Sequence, residues 1–281
     1  MTVKEALTAL KLSLSCIDDG DIEARYILEK ASGIAYKDML LKYSETISGE
    51  KFAEAEAMAR RRLSGEPIQY ILGEWDFMDF TFRVGEGVLI PRPETEQLVE
   101  YVVDSIKDIA NPVVYDLCAG SGCIGLSIKR LRPDADVYLI EKSDKALIYL
   151  KANQEKLCGE LDNTSVIQGD ILQIDSFANL PAADVIVSNP PYIRSEDIAS
   201  LQSEVLREPH MALDGGSDGL VFYRYLVGEW SHKLKEKGFM AFECGEDQAE
   251  DICRLFDKIN FDNEIINDYN NIQRMVTGRR N

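Results

Sequence analysis

The sequence predicts an α/β protein in which a mostly parallel, seven-stranded sheet follows a small all-helical domain and is joined to it by a β-hairpin. Three observations carry this. Residues 1–73 show helical periodicity and no convincing strand. Beyond Asn111, short apolar runs alternate with helical or loop stretches of crossover length, which is the pattern of a parallel sheet covered on both faces. Between these regions, "WDFMDFTFRVGEGV" alternates aromatic and polar residues and then offers Gly85 and Gly87, the signature of a short hairpin. The expected boundaries are 1–73 for the helical domain, 74–95 for the linker and 96–281 for the sheet domain. A chain of 281 residues has room for two domains, at about 100 to 200 residues each.

In the first domain, "SCIDDGDIEARYILEKASG" offers Asp18 and Asp19 as helix caps, apolar residues Ile22, Ala24, Tyr26, Ile27 and Leu28, and Gly33 as a stop. A further helix is predicted over "KFAEAEAMARRRLSG", closing at Gly65, with Arg60, Arg61 and Arg62 either touching an acidic partner or, the favoured reading, forming a solvated end that suits the macrodipole. "LIPRPETEQLVEYVVDSI" places two prolines ahead of a helix whose apolar face is Leu98, Val99, Val102 and Val103, with Glu94 or Thr95 near its start. The strand candidates are then "VVYDL", "DVYLIE", "SVIQG", "DVIVSN", "GFMAFEC", "EIIN" and "RMVTG".

Composition narrows the function classes. Hydrophobic residues at 45% and charged residues at 28% are ordinary for a globular protein, which argues against disorder. The N-terminal "MTVKEALTALKLSL" mixes charge into its apolar positions, so neither a signal peptide nor a membrane span is expected, and the cytoplasm is the expected compartment. Six cysteines at no CxxC spacing and only two histidines, His210 and His232, predict buried free thiols and no metal site. A formal charge of −18 disfavours phosphate backbones, whose affinity comes from Lys and Arg.

Two motifs carry chemistry. "YDLCAGSGCIGL" sets a strand, then Gly120, Gly122 and Gly125, then a helix, and Glu141 follows about 20 residues on, where a carboxylate can hold ribose hydroxyls. The glycine pattern alone fits a dinucleotide or S-adenosylmethionine. Asp116 ahead of the loop favours the latter, since its charge suits a sulfonium or amino group better than a pyrophosphate. After the third strand, Asp170 can accept from an adenine amino group while Ile171 packs on the ring. The second motif is "VIVSNPPYI", where an apolar strand ends on an amide and two prolines. Pro190 and Pro191 have no N–H for a ladder, and each pushes the preceding residue out of helical geometry. The chain therefore leaves the sheet at Asn189 stiff and extended, with Tyr192 just beyond.

The loop Gly120-Ser121-Gly122, Glu141, Asp170 and NPPY, in that order, resemble a class I S-adenosylmethionine-dependent methyltransferase with a Rossmann-like fold. "GEPIQYILGEWDF", "LIPRPETE", "SNPPYI", "EPHMALDGGSDGL" and "FECGEDQ" narrow the resemblance to the bacterial peptide chain release factor glutamine methyltransferases, the PrmC or HemK family. The likeness covers nearly the whole chain. One departure is Cys118, where many relatives have glycine; the position is expected to accept a Cβ.

The resemblance implies S-adenosyl-L-methionine as cofactor, held by Asp116, Cys118, Ala119, Gly120, Ser121, Gly122, Glu141, Lys142, Asp170, Ile171 and Asn189. It implies Asn189, Pro190 and Tyr192 as catalytic residues, and Arg92, Pro93, Thr95 and Pro191 with them at the substrate. The implied acceptor is the glutamine of a Gly-Gly-Gln tripeptide in a class I release factor, methylated on its side-chain nitrogen. The helical domain would grip that protein substrate. The expected partners are release factors only, with no nucleic acid and no membrane, and the protein is expected to act as a monomer. The competing reading of NPPY, methylation of an adenine or guanine amino group in DNA or ribosomal RNA, sits poorly with the acidity and lacks an aromatic-plus-basic strip. A nicotinamide dehydrogenase would leave NPPY unexplained. His210, with no visible partner, and Glu208 and Pro209 are read as shaping the loop after NPPY.

Overall fold

The computed structural model describes residues 1–159 and 163–280, so Asn281, the last position of the domain expected over 96–281, lies outside the described residues. The chain forms two compact units, one of residues 1–74 together with 203–207, the other of residues 75–202 together with 208 onward.

The first unit is helical: α1 (Val3–Ser13), α2 (Gly20–Ser32), α3 (Tyr36–Met39), α4 (Gly49–Leu63) and α5 (Ile68–Leu72). Helix α1 opens on a reciprocal capping box between Thr2 and Glu5, and α2 ends at Gly33, whose φ of 71° terminates the helix at no steric cost. Asp19 occupies the N-cap of α2 but makes no side-chain cap bond. Every third or fourth residue turns inward, so Leu7, Leu10, Ala24, Ile27, Leu28, Ala55 and Ala59 form the core. Ile22 and Tyr26, read as part of the apolar pattern of α2, are exposed.

The predicted solvated end of α4 is corrected at Arg62. Its guanidinium is buried, donates to Glu23 Oε2 at 2.6 Å and pairs with Glu204. The segment 203–207 belongs to the helical unit for this reason, and Arg207 adds a bond to the Ser64 carbonyl at 3.1 Å. Three arginines in a row read as a polar helix end because the two carboxylates that claim Arg62 lie 39 and 142 residues away.

The second unit begins with the hairpin β1 (Glu74–Phe77) and β2 (Phe80–Arg83), which turns through Met78 in the left-handed region. Besides linking, the hairpin supplies core: Phe77 and Phe82 meet edge to face and pack with Leu98 and Val99. Then come α6 (Glu96–Ser105), β3 (Val113–Leu117), α7 (Cys123–Leu131), β4 (Asp136–Glu141), α8 (Asp144–Cys158), β5 (Thr164–Gln168), β6 (Ala183–Ser188), α9 (His210–Leu213), α10 (Val221–Gly228), β7 (Leu234–Glu243), α11 (Ala249–Asp257), β8 (Asp262–Asn267) and β9 (Gln273–Arg279). All seven expected strands are present, and among the described residues they form one sheet in the order β5-β4-β3-β6-β7-β9-β8. Only the pairings of β7 and β8 with β9 are antiparallel.

Strand periodicity sorts side chains to the two faces. Val114, Val185 and Phe239 meet α6, α7 and α8, while Tyr115, Ile186 and Met240 meet Tyr223, Trp230, Ile252 and Phe256. Each such buried side chain contributes about 1.5 to 3 kcal/mol. Strand order reverses at β3, with β4 on one side and β6 on the other. A crevice opens at the carboxyl ends of strands where the order reverses. No helix among the described residues is long and apolar enough to cross a membrane. Cys158, Cys244 and Cys253 are buried free thiols as expected, whereas Cys16 is exposed.

Candidate active site

A cavity of about 350 Å³ occupies that crevice, within the second unit. Its floor is the loop after β3. Ala119 N–H donates back to Ile140 O at 3.0 Å and Gly122 N–H to Ala119 O at 2.7 Å, which folds the loop tightly before α7. Cys118 adopts φ 63°, so the position does not relax to suit a Cβ; it keeps the left-handed conformation that glycine favours. Burial pushes its thiol well above the ordinary range, which makes it a poor nucleophile. Asn153, fully buried on α8, donates to Ser121 O at 2.9 Å and Arg83 O at 3.0 Å, tying the loop to the hairpin.

Glu141 ends β4 beside this floor. One carboxylate oxygen accepts from Gly120 N–H at 2.8 Å and the other from Ser143 N–H at 2.7 Å. That matters for ligand class: a loop donor that a pyrophosphate would use is already held by a carboxylate. Asp170 lines the next wall, where Leu172 N–H donates to it at 3.0 Å and Lys142 Nζ lies 2.8 Å away. Burial works to raise the Asp170 carboxyl, but the Lys142 ammonium and the Leu172 N–H hold it below its usual range. Ile171 lies beside it, buried.

Of the residues expected at a cofactor, Cys118, Ala119, Gly120, Ser121, Glu141, Lys142, Asp170, Ile171 and Asn189 all line this one cavity. Asp116 and Gly122 do not. Asp116 lies fully buried beneath the loop, accepting from Gly125 N–H at 2.8 Å with its other oxygen unpartnered. It braces the start of α7 and offers no charge to the cavity surface.

Asn189 and Pro191 line the same cavity after β6, across β3 from Glu141 and Asp170 in the order of the strands. Pro190 is buried behind them and Tyr192 is half-buried against the α10 side of the core, neither forming the lining. The loop is clamped from below. Gln248 Nε2 donates to Tyr192 O at 2.8 Å, and Ile193 exchanges backbone bonds with Leu213 and Gly215 at 2.9 and 2.8 Å. The motifs "LDGGSDGL" and "FECGEDQ" thus surround NPPY, with Gly219 packed against Tyr192 O.

The segment 88–92 closes one side. Glu208, buried, accepts from Ile90 N–H at 2.9 Å and pairs with Arg92, so the Arg92 charge is already neutralised in place. Pro93 is exposed and outside the lining. Thr95 lines the cavity yet is buried, its hydroxyl engaged by Glu243. His210 lines the mouth, 3.8 Å from Asp214. Glu243 and Met211 lie within "FECGEDQ" and "EPHMALDGGSDGL", but nothing local says which side chains of those motifs reach the site; Asn153 inside a helix and Phe222 carry no local signal.

Comparison with known proteins bears on the family and the fold. Residues 5–73 match the PrmC N-terminal domain and residues 95–236 the methyltransferase small domain. The chain is 37% identical over 245 residues to the release factor glutamine methyltransferase of Thermodesulfovibrio yellowstonii, spanning 85% of this chain and 86% of that protein. Its likeness to the enzyme of the same name from Geobacter sulfurreducens is 34% over 265 residues, spanning 94% and 90%. In structure it resembles the hMettl16 catalytic domain, solved with an RNA hairpin, at TM-score 0.57 and 13% identity over 81% of each chain. It also resembles the T. thermophilus 16S rRNA methyltransferase RsmC, solved with AdoMet and guanosine, at TM-score 0.52 and 16% identity over 74% of this chain and 50% of that one. At those identities the two structures speak to the fold alone, but the sequence relatives match along nearly their whole length, and on that ground the chain belongs to the release factor glutamine methyltransferase family.

Proposed function

We infer that this protein transfers a methyl group from S-adenosyl-L-methionine to the side-chain amide nitrogen of the glutamine in the Gly-Gly-Gln motif of class I peptide chain release factors. The observation that carries the reading is one cavity lined both by carboxylates Glu141 and Asp170, after β4 and β5, and by the Asn189 amide, after β6 on the other side of β3. The acidic side fits the cofactor. Glu141 keeps lone pairs for ribose hydroxyls beyond the two backbone donors it accepts, and Asp170 and Ile171 suit an adenine edge and face. When bound, S-adenosylmethionine supplies an electrophilic methyl on a sulfonium.

The Asn189 side must make an amide nitrogen reactive. A carboxamide nitrogen is a poor nucleophile because its lone pair is delocalised into the carbonyl. Asn189 Oδ1 and the Pro190 carbonyl can accept its two hydrogens, which holds the nitrogen with its remaining face open. The prolines keep those acceptors at a set separation before substrate arrives. As the N–C bond forms and the methyl–sulfur bond breaks to leave a neutral thioether, positive charge grows on nitrogen and both contacts strengthen, so they favour the transition state over the ground state. One of the two N–H protons then passes to solvent, leaving the neutral N-methyl amide. Tyr192 backs this loop, Arg92 and buried Thr95 line the cavity beside it, and Pro93 stands exposed outside the lining.

A Gly-Gly-Gln loop suits the narrow approach because two glycines adopt backbone conformations closed to other residues. The helical unit is the candidate for gripping the body of the release factor; it leaves Leu40 and Leu41 66% and 84% exposed. The protein works as a monomer in the cytoplasm, apart from nucleic acid and membrane. The test incubates labelled cofactor with purified release factor, its Gln→Ala variant and total RNA. Label should enter only the unaltered release factor. Transfer to RNA, or equal labelling of the Gln→Ala variant, would overturn the assignment in favour of base methylation.

A further inference from the structure

Thr95 closes a 3-10 turn (Pro93–Thr95) that runs straight into α6, with helical φ and ψ of −70° and −20°. Its hydroxyl donates to Glu243 Oε2 at 2.5 Å. Asn189 Nδ2 in turn donates to Thr95 Oγ1 at 3.3 Å. Glu243 ends β7, which runs beside β6 with Phe242 level with Ser188, so the next residue on each strand is the glutamate and the asparagine. Tyr223 OH holds the Glu243 backbone carbonyl at 2.6 Å, which fixes the strand end. The carboxylate is buried, and no step proposed above uses it.

Hydrogen-bond inventory turns this row into a directional relay. An ionised carboxylate only accepts, so the one hydroxyl proton of Thr95 is committed to Glu243. Toward Asn189 the hydroxyl can then only accept. The Asn189 amide must present Nδ2 to it, and its oxygen is left for the cavity.

We propose that Glu243 is a positioning residue which, through Thr95, sets which end of the Asn189 amide faces the substrate. The inference rests on the reading of Asn189 as acceptor for the substrate amide. A flipped Asn189 would have nearly the same shape and would offer a donor to a substrate N–H, which repels it. The relay thereby removes a wrong state that packing alone would tolerate.

Protonated Glu243 can donate to Thr95 and reverse the row, so the device predicts an acid limb in turnover. Burial pushes this carboxyl up to about 7, opposed by the Thr95 and Asn189 donors and by Arg274, and reinforced by Glu94. The other ionisable groups facing it are Tyr192 after β6, Tyr223 on α10, Cys123 on α7 and Cys244 next along the chain.

The experiment compares the full-length parent with Thr95→Val, Thr95→Ser, Glu243→Gln and Asn189→Ala, measuring kcat, KM for release factor, cofactor affinity by calorimetry and thermal midpoint. Thr95→Val should lower kcat by about 10-fold to 100-fold with cofactor affinity within about twofold, the usual scale for losing an orienting partner behind a site group. Thr95→Ser keeps the hydroxyl and should restore kcat to within about threefold of the parent, whereas a purely structural role would not distinguish a folded valine variant from serine. The parent should show an acid limb near pH 7, and Glu243→Gln should lose it. Normal turnover in Asn189→Ala would remove the underlying reading. A collapsed Asn189→Ala beside a fully active Thr95→Val, a serine variant no better than valine, or an unchanged acid limb in Glu243→Gln would overturn the relay alone.

Discussion

Asp116 shows how a single buried charge couples the site to pH. It is fully buried with one oxygen unpartnered, and burial, opposed by the Gly125 N–H and reinforced by Glu141, pushes its carboxyl up to about 7 from an ordinary 3.8. Between those two values the unfolded chain releases a proton that the folded chain keeps. Folding stability from this group therefore falls as pH rises from about 4 to about 7 and is level above. Asp116→Asn keeps an oxygen for Gly125 and removes the titration. The urea midpoint of the variant relative to the parent should climb across that window. A difference that stays constant from pH 4 to pH 8 would show that Asp116 is ionised throughout in the folded protein. Reading Asp116 from sequence located the right loop but the wrong partner, because a strand-end aspartate looks the same whether it faces a ligand or a helix N-terminus.

Among the elements, the NPPY loop shows most plainly how supporting segments set a site. A strand ending in two prolines has no ladder to hold it, so its rigidity must come from neighbours. Those are the 213–219 turn and Gln248, which bond to the backbone of Tyr192 and Ile193. Gly219 is the tightest point: it has φ 73°, and a Cβ there would lie 2.4 Å from Tyr192 O and 2.3 Å from Gln248 Nε2. Gly219→Ala should destabilise the fold by about 1 to 3 kcal/mol through overpacking. Because Gly219 lies outside the cavity lining, cofactor affinity should change little while turnover falls. Parent-like kcat in a variant that calorimetry shows to be folded would mean that the loop holds its shape without this clamp. The motif residues were legible in sequence because proline and glycine restrict or free the backbone wherever they occur. Their mutual contacts were not, since nothing local says which glycine meets which carbonyl.

The molecule is organised around three main cores, one helical and one on each face of the sheet. The division does not follow the chain, because residues 203–207 belong with the helices. Buried Arg62 is the reason, paired with Glu23 and Glu204. Arg62→Ala leaves the buried Glu23 carboxylate without its partner and should destabilise the helical unit by about 3 to 5 kcal/mol. Hydrogen exchange should quicken in residues 203–207 and in α2 together. Glu204→Ala, which removes a half-exposed carboxylate, should cost less. Equal small effects from both variants would show that the ion pair does not hold the segment.

The sequence by itself determined the α/β class, the seven strands, the helical start and the places where backbone chemistry changes abruptly, such as the glycine loop after β3 and the prolines after β6. These follow from periodicity and from residues whose conformational limits travel with them into any fold. It also brought nine of the expected cofactor residues to one cavity, since strands of a parallel sheet deliver their carboxyl ends to the same edge. Tertiary structure alone decided that Asp116 supports the loop from below, that Arg62 is buried, and that Thr95 joins Glu243 to Asn189. Each of these depends on which polar group finds which partner across tens of residues or more. A side chain's partner in the interior is chosen by the packing of the elements that carry it, and one-dimensional order holds no record of that choice.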